Sequence, residues 1–331
     1  MARATASGDG PVSGVQVVHL RILCPGDLTD AAVAVAREAP GACNIILLRD
    51  AGLSPQGDLL LCDVAREAAS MVMEELRALG IAERGAITIE RVDGHESAGA
   101  EAAGRAAPGS PGDAVVWEEV EAITSESVAL TGSFLLFMVV ATLIAAIGIF
   151  LDSAILIVGA MVVGPEFGPL AGVCVALVQR RGRLAARSMI ALGVGFPIAI
   201  LASYLASRVF RATGLTPEVF SEADHSLSTI IANPDAFSFI VAFGAGIAGM
   251  LSLTSAKSSV LIGVLISVTT IPAAANVGVA AAYSDWSSFG GSLLQLAINL
   301  VAIVVAGTLT LGAQRFVYVR RRDRGGVSPA P

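Results

Sequence analysis

Glu166 stands where a carboxylate is costly and a straight helix is impossible. The run from Asp152 to Leu170 reads DSAILIVGAMVVGPEFGPL, with Gly164, Pro165, Gly168 and Pro169 crowded around the acid. Two prolines and two glycines within six residues leave backbone amides and carbonyls unpaired. Lipid tolerates such a break only where it is packed in protein or lines a wet cavity. An acid there can bind a cation or carry a proton. It can equally cap the free amides of the half-helix that follows.

A second set gathers around another proline. Thr269, Thr270 and Asn276 flank Pro272, and their hydroxyls and amide can satisfy freed backbone groups or complete an oxygen-lined site. Gln295 and Asn299 are one helical turn apart on one face of the last apolar segment, placed for interhelical hydrogen bonds or for the same site. Asp152 opens the first run. Lys257, the one lysine of the chain, lies between two apolar segments, where it can anchor the chain, contact phospholipid head groups or attract an anion. These residues are the candidate pathway for a small ion or polar solute.

The chain around them is built of two materials. Its 331 residues are 54% hydrophobic with a mean hydropathy of +0.74, too apolar for a soluble protein of this length. From Met1 to Leu130 there are 20 acids and 9 arginines; from Thr131 to Pro331 there are 8 acids and 12 bases. The acidic half is a poor nucleic-acid binder. Four cysteines without CxxC spacing and three scattered histidines give no metal site, and no cofactor is expected. No basic start precedes an apolar run at the N-terminus, so no cleavable signal peptide is expected.

Residues 1–14 read as a disordered N-terminus, and 15–92 as a folded domain. Val15–Cys24, Cys43–Leu48, Asp58–Val64 and Gly85–Val92 read as strands, with turn residues over Asp50–Gly57. A helix runs from a cap at Asp27, Thr29 or Asp30 to about Ala39, and another covers Ala65–Leu79, ended by Gly80. The order βαββαβ is that of the α+β ferredoxin-like sandwich. Such a domain can regulate by binding a ligand, or pair with its copy; no catalytic set stands in it. Residues 93–112 read as a flexible linker. Residues 113–130 read as an amphipathic helix capped by Asp113, with Val116, Val120, Ile123 and Ser127 on one face.

Residues 131–314 read as an all-α membrane domain of about six transmembrane helices, followed by a basic cytoplasmic tail at 315–331. The segments are Thr131–Leu151, Ser153–Gln179, Met189–Ser207, Ala236–Leu253, Ser258–Tyr283 and Gly291–Ala313, each near the roughly 20 residues that span a hydrocarbon core. The second and fifth are broken by proline. Arg180, Arg181, Arg183 and Arg187, Lys257, and the arginines from Arg315 onward fall on one side, which places both termini in the cytoplasm. Gly148, Gly159, Gly164, Gly244, Gly246, Gly249 and Gly263 invite close helix packing.

Each half has a proline-broken middle segment. Asp152–Ile157 aligns with Lys257–Ile262 at an offset of 105 residues, and Pro165 with Pro272 at 107. Three spans per half make the repeat inverted, the arrangement that brings paired broken helices together near the midplane. Asp152 and Lys257 are then equivalent. At helix ends they lie on opposite faces; in re-entrant hairpins they meet.

The stretches LDSAILIVGAMVVGPEFGPLAG, LTSAKSSVLIGVLISVTTIPAAANVGVA and QLAINL resemble the uncharacterised bacterial and archaeal "hydrophobic domain" membrane family, domain of unknown function 389. The resemblance covers roughly Trp117 to Ala313, and the first half resembles the soluble domain of actinobacterial members. It implies a multi-pass protein of the bacterial inner membrane and supplies no substrate. The first expectation is a transporter or channel, a dimer with membrane lipid around it. The alternative is a membrane-anchored ligand sensor or scaffold. No His pair, Cys–His pair or GxSxG motif sits in the spans, so an enzyme is not expected.

Overall fold

The computed structural model describes residues 16–92, 95, 97–107, 115–216, 226–254 and 269–325. The chain divides into two compact units, one holding residues 1–119 and 319–331, the other Val120–Tyr318.

In the first unit, β1 (Val17–Cys24) is followed by α1 (Thr29–Glu38), β2 (Ala42–Leu53), β3 (Gln56–Ala65), α2 (Arg66–Ala78), the single turn α3 (Ile81–Arg84) and β4 (Ala86–Arg91). The strands form one antiparallel sheet in the order β2-β3-β1-β4. Alternation dictates its core: Val18, Leu20, Ile22 and Cys24 of β1 and Leu60, Cys62 and Val64 of β3 are all buried, with Ala68, Val72 and Leu76 of α2 against them. Each large side chain so enclosed contributes about 1.5–3 kcal/mol relative to exposure. Gly80 ends α2 at φ +77°, a conformation that costs glycine nothing.

Several local expectations differ from what forms. β2 and β3 run through most of the 50–57 stretch, because their ladder continues to the pairs Gly52–Gly57 and Leu53–Gln56 and leaves only Ser54 and Pro55 as the turn. Leu28, not Asp27, Thr29 or Asp30, is the N-cap of α1 and makes no side-chain cap. Asp27 instead holds Arg84 in two 2.8 Å hydrogen bonds, and the Thr29 hydroxyl donates to the Pro25 carbonyl. The stretch read as a flexible linker contains α4 (Ala98–Ala106). Alanine has the best helix propensity, and the Ser97 side chain accepts from the Ala100 N–H as a cap. Ala100, Ala103 and Ala107 are buried at helical spacing. Asp113 lies outside the described residues.

Helix α5 (Trp117–Ser127) carries its buried stripe on Val120 and Thr124, continuing to Val128, while Ile123 is exposed. Within the first unit Glu118 accepts from Ser70 and Arg77, and Glu119 pairs with Arg66 and Arg91.

The second unit is helical. α6 (Gly132–Phe150) is followed by α7 (Ala154–Val163) and α8 (Phe167–Gln179), which meet at a bend of 51°. Then come α9 (Gly182–Ala212), α10 (Ser226–Ala232), α11 (Ala236–Thr254), α12 (Thr270–Ala282) and α13 (Trp286–Gly325). Among the described residues four helices, α6, α9, α11 and α13, are long and apolar enough to cross a membrane, and the bent α7–α8 pair is long and apolar enough for either a fifth, broken span or a re-entrant loop. Of the expected fifth segment, α12 is described and residues 255–268 are not.

Element starts recur. Gly132 and Ala236 are 104 apart, Phe167 and Thr270 are 103 apart, and Gly182 and Trp286 are 104 apart; α6 and α11 have 19 residues each, α8 and α12 13 each. Pro169 and Pro272 are each the third residue of their helix, where the missing N–H has no intrahelical partner to lose, whereas Pro165 stands in the bend before α8.

Two lowered carboxyls give the first unit an acid limit. The Arg84 guanidinium holds the Asp27 carboxyl below its ordinary range. The Asp50 N–H, with the Thr29 hydroxyl, does the same for Asp58. A group whose folded pKa is depressed stabilises above its unfolded pKa of about 3.9 and ceases to as pH falls through the folded value. Burial raises Glu67, which acts in the opposite sense over a higher range. Hydrogen-exchange protection of the β1–β4 amides is expected to fall as pH drops below the usual aspartate range. In Asp27→Asn/Asp58→Asn that slope should flatten.

Candidate functional site: a buried carboxylate between two short helices

α7 stops because Gly164 and Pro165 follow it: the Gly164 N–H closes the last turn on Ala160, and the chain turns through Pro165 and Glu166. Glu166 takes the N-cap position of α8, yet its side chain makes no capping bond. It reaches across to the other short helix. The Thr270 hydroxyl, at the first residue of α12, donates to Glu166 Oε1 at 2.7 Å. Glu166 is 2% exposed and Thr270 is fully buried. Glu166 Oε2 has no hydrogen-bond partner among the described residues.

The two helices therefore meet head to head. α8 runs from this point toward the end of the unit where Arg181 pairs with Glu121 and Arg315 Nη1 donates to the Val178 carbonyl at 2.6 Å. α12 runs the other way, to Tyr283, which packs on Phe150 and carries the Arg211 guanidinium over its ring.

Hydrogen bonds continue from α12 into α13. Asn299 Nδ2 donates to Thr269 Oγ1 at 2.7 Å, and Gln295 Nε2 to Asn299 Oδ1 at 3.0 Å. Asn276 Nδ2 donates to Ser292 Oγ at 2.8 Å, and Asn276 Oδ1 accepts from the Ser228 hydroxyl at 3.0 Å. Ser228, Ser292 and Asn276 are fully buried. The serines were not among the residues singled out from sequence. Their signal was available in α13, where Ser288, Ser292, Gln295 and Asn299 recur at helical spacing on one face.

Glycines set the closeness of the joint. A Cβ on Gly164 would lie 2.3 Å from Glu166 Oε2 and 2.7 Å from Ile271 Cγ1. On Gly168 it would meet Ser127 Cβ at 2.7 Å, and on Gly278 the Ile200 carbonyl at 2.7 Å. Gly148 and Gly246 also sit against neighbours, whereas Gly159 and Gly244 face open space. A cavity of about 390 Å³ lies beside the break, lined by Gly164, Pro165, Phe167 and Gly168 and by Glu126, Thr131 and Phe134, among others.

Thus Gly164, Pro165, Glu166, Gly168, Pro169, Thr269, Thr270 and Pro272 come together, with Asn299, Gln295 and Asn276 continuing the line. Asp152 does not join them. It is exposed, with φ +45°, and accepts from the Ser226 hydroxyl and the Leu227 N–H at 2.8 and 2.9 Å, at the start of α10. Lys257 lies outside the described residues. Among those described, no cluster of three or more His, Cys, Asp or Glu can hold a metal ion.

Gly164→Ala should lower the thermal midpoint of the detergent-solubilised protein, by the equivalent of about 1–3 kcal/mol of overpacking. Gly159→Ala, with nothing within 4 Å of its Cβ position, should leave it unchanged. Equal midpoints for the two variants would contradict the packing described.

An uncharacterized protein of Methanocaldococcus jannaschii is 29% identical over 208 residues, which are 61% of this chain and 62% of that protein. No solved structure matches the chain. Residues 161–305, from α7 to well into α13, match the family described as a domain of unknown function (DUF389). The chain is thereby similar, over the break, the head-to-head helices and the polar face of α13, to the DUF389 family that its GAMVVGPEFGPL run resembles.

Proposed function

We propose that the protein is a transporter or channel for a small ion or polar solute, with Glu166 lining the pathway. One observation carries this reading: a carboxylate enclosed at a break in an apolar helix pair, bonded to the start of a second short helix. A carboxylate at membrane depth costs several kcal/mol or more, and such residues mark ion and proton routes.

The recurring starts of α6, α8 and α9 against α11, α12 and α13, and the equal lengths of the first two pairs, support an inverted repeat of three spans and three. So does the opposed course of α8 and α12. Six spans then place the arginines of 180–187 and 315–324 on the cytoplasmic side of a bacterial inner membrane, with both termini inside. The strand order β2-β3-β1-β4 in a βαββαβ chain supports a ferredoxin-like domain. On this reading that domain is cytoplasmic and regulates or dimerises, and the protein is not an enzyme.

The alternative, a membrane-anchored sensor or scaffold, draws on a different observation. Glu166, Thr270, Asn276 and Asn299 are sealed by neighbouring side chains, as a purely structural joint would be.

Flux in proteoliposomes separates the two. A panel of ions should cross faster than in protein-free liposomes, and Glu166→Gln should bring the rate back toward theirs. No flux from folded protein would favour the sensor.

A further inference from the structure

We infer that the ion handled at the break is the proton, and that Glu166 takes it up and gives it back; this rests on the transport reading above. The surroundings of the two carboxylate oxygens differ. Oε1 accepts from Thr270. Oε2, without a partner among the described residues, is walled by carbon. The Gly164 Cβ position lies 2.3 Å from it and 2.7 Å from Ile271, so Gly164 and Ile271 close on that side. A hard metal cation such as calcium or magnesium requires on the order of six oxygens around it. Among the described residues none offers Oε2 a hydrogen-bonding oxygen or nitrogen. A proton needs no such shell.

Charge leads to the same ion. An ionised carboxylate enclosed in apolar surroundings must be neutralised or paired. α6, α7, α8, α11 and α12 contain no charged residue at all. Among the described residues of this unit the other charged groups stand toward helix ends: Arg180 and Arg181 before α9, Arg183, Arg187, Arg208 and Arg211 of α9, Arg315 of α13, Glu121 and Glu126 of α5, with Asp152 after α6, Asp235 before α11 and Asp285 before α13. None of them forms an ion pair with Glu166. Burial works against the charged form, while the two helix N-termini work for it. A carrier needs both influences if it is to release a proton as well as bind one.

Access follows from the cavity beside the break. Its lining includes Gly164, Pro165 and Phe167, the residues on either side of Glu166. Glu166 itself is enclosed beside this cavity, so uptake requires water from it to reach Oε2; an O–H bond of a hydronium then breaks, one forms on the carboxyl, and water is left. Release is the reverse step, the carboxyl O–H breaking as a water takes the proton.

The test uses the full chain in lipid vesicles with two readouts. Infrared difference spectra between alkaline and acidic buffer should show the carbonyl band of a protonated carboxyl. It should vanish in Glu166→Gln, persist shifted in Glu166→Asp and in Thr270→Val, and ignore sodium, potassium and calcium. A pH dye trapped in the vesicles should report proton entry under a potassium–valinomycin potential. That entry should be lost in Glu166→Gln and partly kept in Glu166→Asp. A band displaced by a metal ion, or Glu166-dependent metal flux without proton entry, overturns the proton assignment and leaves transport standing. Absence of any titrating band overturns it too. A titrating band with no flux of any ion removes transport and with it the carrier role.

Discussion

The hydrogen bond from Thr270 to Glu166 is the contact on which the membrane unit depends. At 13 residues each, α8 and α12 are too short to cross a hydrocarbon core. Each must begin inside the bundle, and each beginning leaves amides without helical partners. Bringing the two beginnings together puts both problems in one place, where prolines at the third positions remove one donor each. The close approaches at Gly164 and Gly168 are conditions for that joint, because a methyl group at either would meet the carboxylate or Ser127.

The rest of the bundle is shaped to enclose α12. Nearly every residue from Thr270 to Ala282 is buried, and most are alanine, glycine or valine. Small side chains let neighbouring backbones come close, which is how helices associate where no water drives them together. Gly278 admits the Ile200 carbonyl region of α9, and the Ser203 hydroxyl donates to the Ala275 carbonyl. A helix so enclosed cannot leave polar side chains unmatched. Thr269 and Asn276 are matched by Asn299 and Ser292, two turns apart on α13. The polar face of α13 is therefore the counterpart of α12.

Apolar lengths and proline-glycine breaks were legible in the chain because both are local. Segment ends fell within a few residues for α6 and α11. Register was not legible. Pro165 stands in the bend and Pro169 inside the helix, and only the helix start tells that Pro169 and Pro272 hold the same helix position. Asp152 could be recognised as an acid at a helix end, but its partners lie 74 and 75 residues further on. No spacing rule points there. α4 was missed because Ala, Gly and Ser were read as linker composition, though alanine at 98, 100, 102 and 103 behind Ser97 is also a capped helix. The stripe on α5 was misplaced by one residue: from Val116 and Val120 the next turn falls on Thr124 as readily as on Ile123, and packing chose Thr124.

A structural joint between two helix starts does not require an acid. Thr269, just before α12, is tied to Asn299, inside α13, with neutral groups only. Even a buried ion pair can often be replaced by well-packed apolar residues of similar volume without loss of stability, and an uncompensated buried carboxylate is costlier still. Glutamine at 166 could accept from Thr270 through its carbonyl oxygen and would carry no charge into the bundle. The carboxylate is thus more than the fold needs, and its cost falls at the one point where both short helices, the break and the cavity coincide. Where local chemistry exceeds structural need, the excess belongs to function, and in a segment without other charges the excess is a single titratable group.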